Sequence, residues 1–349
     1  MILRGARVAI SANRAEVTDL SVARGRIRAI GPAAGRPEVD CRGYLILPGL
    51  INAHDHLEFN LFPRLGNGPY PNAAEWARDI HRSFQEPIRK VLAVPLDERL
   101  YWGAFKNLLS GVTTVCHHNP WSVAFHRRFP VRVVRRFSWA HSLEFSADLQ
   151  TRHSSCPRER PFVFHAGEAT GVSARREMEA LAKLGMFTSN SVLVHAVGLT
   201  GKWVRLALER QCSVVWCPSS NLFTLGKTLA RRILNSGLTI ALGTDSTLTA
   251  EGDMCDELRV ARQVSGLSAE RLYGMVTRAP AKALCLRNGE GTIRPGGVAD
   301  LIFFRDQGRT PASTLLEQRP DAVMVGGRLQ MVSAEIAPAW RMLGRQVAA

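Results

Sequence analysis

The chain has 349 residues, with 45 Lys and Arg against 30 Asp and Glu, a formal net charge of +15, and 46% hydrophobic against 21% charged residues. That balance belongs to a globular protein with a sizeable core and excludes disordered, collagenous and coiled-coil chains. No stretch approaches the roughly 18 unbroken apolar residues of a membrane helix, and the opening Met-Ile-Leu-Arg-Gly-Ala lacks the basic start and apolar run of a signal peptide.

Residues 1–47 read as short strands, with Ile2–Val8, Leu20–Ile30 and Val39–Ile46 broken by Gly25, Gly31, Gly35 and Gly43. From Leu47-Pro48-Gly49 onward strands alternate with helices. Val112–Cys116, Val131–Val134, Phe162–His165, Val192–His195, Ser213–Trp216 and Leu238–Leu242 read as strands. Helical spacing marks Glu98–Leu109, Ser173–Leu184, Gly201–Arg210, Lys227–Leu234 and Met254–Val264, with Gly111, Gly185 and Gly237 placed as C-caps. Repeated strand and helix units imply parallel strands joined by crossovers, and their number favours a barrel. Short strands return at Gly291–Ile293, Ala299–Phe304 and Ala322–Leu329. The expected division is therefore 1–47 and 288–349 as two halves of one small β domain, with 48–287 as the barrel.

Seven cysteines, none in a C-x-x-C pair, read as buried or incidental thiols of a reducing compartment, so the expected location is the cytoplasm. The positive charge is scattered in short clusters such as Arg127-Arg128, Arg135-Arg136 and Arg231-Arg232, without an aromatic and basic stripe. It reads as a solvated surface, so neither a specific nucleic acid nor a membrane is an expected partner.

Four strand ends carry polar residues where a barrel builds its site. They are His54-Asp55-His56, His165 with Glu168 three residues on, His195, and Thr244-Asp245-Ser246. On a strand, positions i and i+2 share a face, so His54 and His56 can both point inward while Asp55 points away. Three histidines and one aspartate that converge suit a divalent ion, with zinc first and iron as the alternative.

The stretches LPGLINAHDH, GVTTV, FHAGE, VLVHA, WCPSSNLF, LGTDS and GEGTIRPGGVADLIFF resemble the amidohydrolase superfamily, in its cytosine deaminase-like and chlorohydrolase-like branch. HAGE is similar to the matching element of adenosine deaminases, and CPSSNLF to that of guanine deaminases. The resemblance implies a distorted TIM (β/α)8 barrel with a small β-sandwich formed by both termini. It implies one metal held by His54, His56, His165 and Asp245, with Glu168 as proton shuttle and His195 orienting or stabilising the metal-bound hydroxide. Glu58, His118 and Asn221 are candidates for substrate contact, as are His117, Asn119, His141, Ser142 and the ring faces of Trp76, Trp102, Trp121 and Trp139. No lysine lies between Lys106 and Lys183 to bridge two metals, which leaves Glu144 as the substitute bridge and favours a single ion.

The expected activity is hydrolysis of a non-peptide C–N bond in a small molecule, foremost the deamination of an amino-substituted N-heterocycle. Hydrolysis of a linear or cyclic amide by the same site, or a non-catalytic scaffold of the same fold, are the alternatives. Relatives often form dimers or larger assemblies, so a homo-oligomer is allowed. Only about thirty residues separate Val134 from His165, so the fourth βα unit is expected to be shortened or irregular.

Overall fold

The computed structural model describes residues 1–34, 38–126 and 128–334. Gly35, Arg127 and residues 335–349 of the C-terminal segment therefore lie outside the described residues.

Both terminal segments enter one eight-stranded sheet. Strands β1 (Ile2–Ala9), β2 (Ala15–Ala23), β3 (Arg26–Ile30), β4 (Glu38–Asp40) and β5 (Tyr44–Pro48) form the N-terminal part. The C-terminal part joins through antiparallel pairing of β5 with Leu301–Arg305, which sets Leu301 opposite Pro48. Alternate residues bury one face of this sheet, and Leu3, Val8, Leu20, Ile46 and Phe303 form its core. Two of the expected strands are hairpins. The run Leu20–Ile30 turns at Arg24 and Gly25, and the run Ala322–Leu329 turns at Gly326 and Gly327. Both pairs have positive φ, the conformation a two-residue hairpin turn demands. Gly291–Ile293 forms no strand; it lies in a turn region before an isolated bridge at Val298.

The remaining strands are parallel. They are β6 (Leu50–Asp55), β7 (Val112–His117), β8 (Arg132–Val133), β9 (Ser138–Trp139), β10 (Phe162–Ala166), β11 (Ser191–His195), β12 (Ser213–Trp216) and β13 (Thr239–Leu242). They form two sheets, β6-β7-β8 and β9 to β13 in sequence order, and a parallel bridge from Asp55 to Asp245 links the two. The strand period of two sorts the side chains. Ile51, Ala53, Val163, Val192, Val194, Val215 and Ala241 form an inner cluster of small apolar residues. Leu50, Phe162, Phe164, Leu193, Val214 and Leu242 belong instead to the larger core against the helices.

The shortening falls between β8 and β9. Only residues 134–137 join them, too few for a helix, and Arg135 and Arg136 in that link are exposed. The next connection does carry a helix, Leu149–Ser155. The loop after β6 holds two helices missed from the sequence, α1 (Ala73–Ser83) and α2 (Gln85–Leu92). Their signal was an N-cap, Asn72, whose side chain accepts the Glu75 N–H at 2.9 Å. The helix expected from Lys227 begins only at Arg231.

At Gly243, where β13 turns into the site, an added Cβ would lie 2.8 Å from His54 Cβ and 2.9 Å from its carbonyl oxygen. Gly243→Ala is expected to cost about 1–3 kcal/mol and to lower the melting temperature by several degrees; an unchanged thermal melt would show that this packing is not tight.

Candidate active site

The expected residues meet at the C-terminal ends of the parallel strands. His54 and His56 sit at the end of β6, His165 on β10 and His195 at the end of β11, and Asp245 follows β13. All five are buried. His195 and Asp245 have φ of 68° and 56°, left-handed values that non-glycine residues adopt rarely and that recur at functional sites.

Three nitrogens and one oxygen point at a common centre. His54 Nε2 lies 3.3 Å from His165 Nε2, and Asp245 Oδ1 lies 3.7 Å from Nε2 of both His54 and His56. The other atoms of these groups are engaged behind them. His165 Nδ1 donates to the His141 carbonyl at 3.1 Å, which leaves Nε2 bare. His56 Nδ1 donates to Asn119 Oδ1 at 3.2 Å. Asn119 is oriented by giving its amide N–H to Glu58, so His56 Nε2 is also a free lone pair. Asp245 Oδ2 accepts from Ser220 Oγ at 2.6 Å and Thr249 Oγ1 at 3.1 Å, leaving Oδ1 for the centre. Burial and the neighbouring histidines hold the His54 and His165 pKa well below the usual imidazole range, so both rings are neutral. Bare imidazole nitrogens and a carboxylate oxygen sharing one buried point are the donor set a divalent cation needs.

The expected shuttle stands beside this centre. Glu168 Oε2 lies 3.5 Å from His195 Nε2. Burial, with help from Asp245 and Glu177, raises the Glu168 pKa well above the carboxylate range. Asn221 Nδ2 donates to His195 Nδ1 at 2.9 Å, which puts the ring's own proton on Nε2, toward Glu168. His195 is itself held neutral by burial, its pKa lowered to about 4.

A cavity of about 510 Å³ opens onto these groups. His56, His165, His195, Glu168 and Asp245 line one side, and Phe59, Phe62, Trp76, Ile80, Ile88 and Leu248 supply apolar walls. Helices α1 and α2 carry Trp76, Ile80 and Ile88, so the missed helices build the mouth of the site. Glu58, His118 and Asn221, expected against the substrate, do not line this cavity. Each is buried behind a ring: Glu58 holds Asn119, Asn221 holds His195, and His118 packs against His54. His141 does line it, as does Trp76, while Trp102 and Trp121 are 57% and 41% exposed. Trp139 packs edge-on against His118, and Glu58 Oε2 faces His117 Nε2 at 3.6 Å. Ser142 lines an adjoining cavity of about 360 Å³, and Asn119 lies behind His56. Glu144 has a 61% exposed side chain 3.9 Å from Arg78 and is not among the clustered donor atoms of the histidines.

Sequence reasoning also missed the supports of the site. Asp55 points away from the centre as expected, and its carboxylate accepts from Asn52, Asn60, Asn107 and Thr244, which ties β6 to the turn after β13. The helix Pro218–Leu225 begins inside the WCPSSNLF stretch. There Ser219 is held by Glu257, Ser220 holds Asp245 and Asn221 holds His195. The available signal was the density of Ser and Asn next to a proline at a helix start.

Residues 153–329 match the model of the amidohydrolase family. The chain is 25% identical to a 5-methylthioadenosine/S-adenosylhomocysteine deaminase of Syntrophobacter fumaroxidans, over 81% of this chain and 78% of that one. Among solved structures it is similar to an atrazine chlorohydrolase from Arthrobacter aurescens complexed with zinc, with TM-score 0.75, 20% identity and 99% of both chains covered. It is also similar to an adenosine deaminase from Xanthomonas campestris with bound zinc, with TM-score 0.69, 20% identity and 99% of both chains covered.

Burial raises the Glu257 pKa from 4.5 to about 7, so over that interval the folded chain holds a proton that the unfolded chain has lost. Its contribution to stability is full below about pH 4.5 and is lost as pH rises through about 7. Glu257→Gln is therefore expected to shrink the fall in melting temperature between pH 5 and pH 8. An equal fall in both proteins would show that Glu257 ionises normally.

Proposed function

The chain belongs to the amidohydrolase family, and from that premise we propose that it is a mononuclear zinc hydrolase that deaminates an amino-substituted N-heterocycle. The observation that carries this reading is the pairing, in one cavity, of a cation-shaped donor set with Glu168, whose carboxyl lies 3.5 Å from His195 and whose proton affinity burial raises. We assign His54, His56, His165 and Asp245 as the ligands. Bound zinc lowers the pKa of water toward neutrality and so supplies a nucleophile.

The residues of this chain do the rest. Asp245 Oδ1 accepts the proton that the water gives up. Glu168 gives its proton to the ring nitrogen next to the carbon under attack, takes the proton of the newly attached hydroxyl and passes it to the departing amine, and is restored by the proton held on Asp245. His195 offers Nε2–H to the attacking oxygen and fixes its approach. The net change is water and an aminoheterocycle giving an oxo-heterocycle and ammonia. Apolar walls exclude bulk water, and among the described residues no Lys or Arg lines the cavity, which favours a substrate with a neutral, apolar substituent.

The architecture that holds this site we read as a distorted (β/α)8 barrel spanning 48–287. Its fourth unit is reduced, and the Asp55 to Asp245 bridge supports closure on the side away from β8 and β9. The described residues of segments 1–47 and 288–349 would form the accompanying β domain, built on one eight-stranded sheet. No described helix is long and apolar enough to cross a membrane, and with seven free cysteines we place the chain in the cytoplasm.

The test is ammonia release from aminopurines, aminopyrimidines, triazines, methylthioadenosine and S-adenosylhomocysteine, alongside metal analysis. About one zinc per chain is expected, with methylthioadenosine turned over faster than its zwitterionic counterpart. Glu168→Gln should keep the zinc and lose at least 100-fold in kcat, whereas His165→Ala should lose both metal and turnover. Full activity in Glu168→Gln would remove the shuttle, and turnover of amides without ammonia from any heterocycle would favour amide hydrolysis.

A further inference from the structure

His118 occupies a position that the reaction as described does not use. It is fully buried directly after β7, its ring 4.9 Å from that of His54 in an edge-to-face arrangement. Two polar atoms lie within reach of it: the Ala140 carbonyl, 3.0 Å from Nε2, and His54 Nδ1, 3.2 Å from Nδ1.

These contacts allow one proton arrangement. A carbonyl only accepts, so His118 Nε2 must carry a proton and donate it to Ala140. A neutral ring then has a bare Nδ1, which accepts from His54 Nδ1–H. His54 in turn must present a bare Nε2, the atom 3.3 Å from His165 Nε2 and 3.7 Å from Asp245 Oδ1. The chain of contacts thus runs from Ala140 through two imidazoles to the metal position. We propose that His118 is a positioning residue that fixes His54 in the tautomer able to ligate the ion. This rests on the metal reading given above.

His118 is also close enough to the other three histidines to be counted as a ligand itself, since the donor atoms of His54, His56, His118 and His165 lie within 4.8 Å of one another. The partners argue otherwise, because both of its nitrogens are committed, one to Ala140 and one to His54. Asp245 Oδ1 supplies the fourth donor instead.

The other ligands are fixed by ordinary acceptors, His165 by a carbonyl and His56 by an amide oxygen. His54 lies between His56 and His165, with ring centroids 4.8 and 4.9 Å away. Its orientation affects both neighbours, so losing its acceptor should weaken the whole donor set.

The test uses two variants of the same shape. His118→Leu removes the acceptor, and His118→Asn keeps an oxygen at the Nδ1 position. Zinc affinity is read by competition with a chelator, the fold by thermal melts of the metal-free proteins, and the ligand set by the absorption of the cobalt-substituted forms. His118→Leu should bind zinc 10–100-fold more weakly, and His118→Asn should fall within a few fold of the parent. The metal-free melts of the two variants should match, and the Asn variant should keep the parent cobalt spectrum. Parent-like zinc affinity in His118→Leu would overturn the proposal, as would equal losses in both variants. A cobalt spectrum altered in His118→Asn would make His118 a ligand, and a parent protein that binds no zinc would remove the metal reading and this one together.

Discussion

The structure depends on one electrostatic constraint. Lone pairs on buried histidine nitrogens and a carboxylate oxygen face one another across less than 4 Å. Such an arrangement repels itself unless a cation stands at its centre. The surrounding protein answers this constraint by drawing the protons of the ligand rings outward and occupying the far oxygen of Asp245. The His141 carbonyl and the Asn119 amide oxygen accept from the far side of two rings, and two hydroxyls take up the far oxygen of Asp245. The donor set is thus as much the work of its outer acceptors as of the ligands themselves.

Such outer partners, donors as well as acceptors, explain why short stretches of chain do several things at once. Ser219, Ser220 and Asn221 are consecutive, yet one anchors to Glu257, the next steadies Asp245 and the third orients His195. A helix start makes this possible, since its first turn fans successive side chains in different directions at nearly one height. Asp55 plays the matching part beneath the centre, gathering four neutral donors from β6, the loop after it, the helix before β7 and the turn after β13.

Much of this was legible in the sequence for local reasons. Strands buried on both faces read as short apolar runs, so β7 and β10 to β13 were found within a residue or two. The polar residue closing each run marked the site directly. The fourth strand was invisible because two residues, Ser138 and Trp139, carry no period at all. Helices α1 and α2 were missed because their apolar residues face a cavity and a small separate cluster instead of the main core. The roles of Glu58, His118 and Asn221 were beyond reach, since each partner lies 26 to 64 residues away in the chain. A polar residue near a site can touch the substrate or brace a ligand, and only the fold distinguishes the two.

The four-residue passage from β8 to β9 divides the labour of the parallel strands. The assigned ligands come from the end of β6, from β10 and from the turn after β13, with His195 added from β11, and none comes from β8 or β9. Those two strands pair outward to β7 and β10 but not to each other. The fold therefore concentrates its chemistry on one arc and its tolerance for change on another. An added helix, a grafted loop or a new pair of chain ends at residues 134–137 would alter the size of the protein while leaving the spacing of the reactive groups untouched. Lineages of such enzymes can thus gain or shed mass at this junction without having to reinvent the reaction.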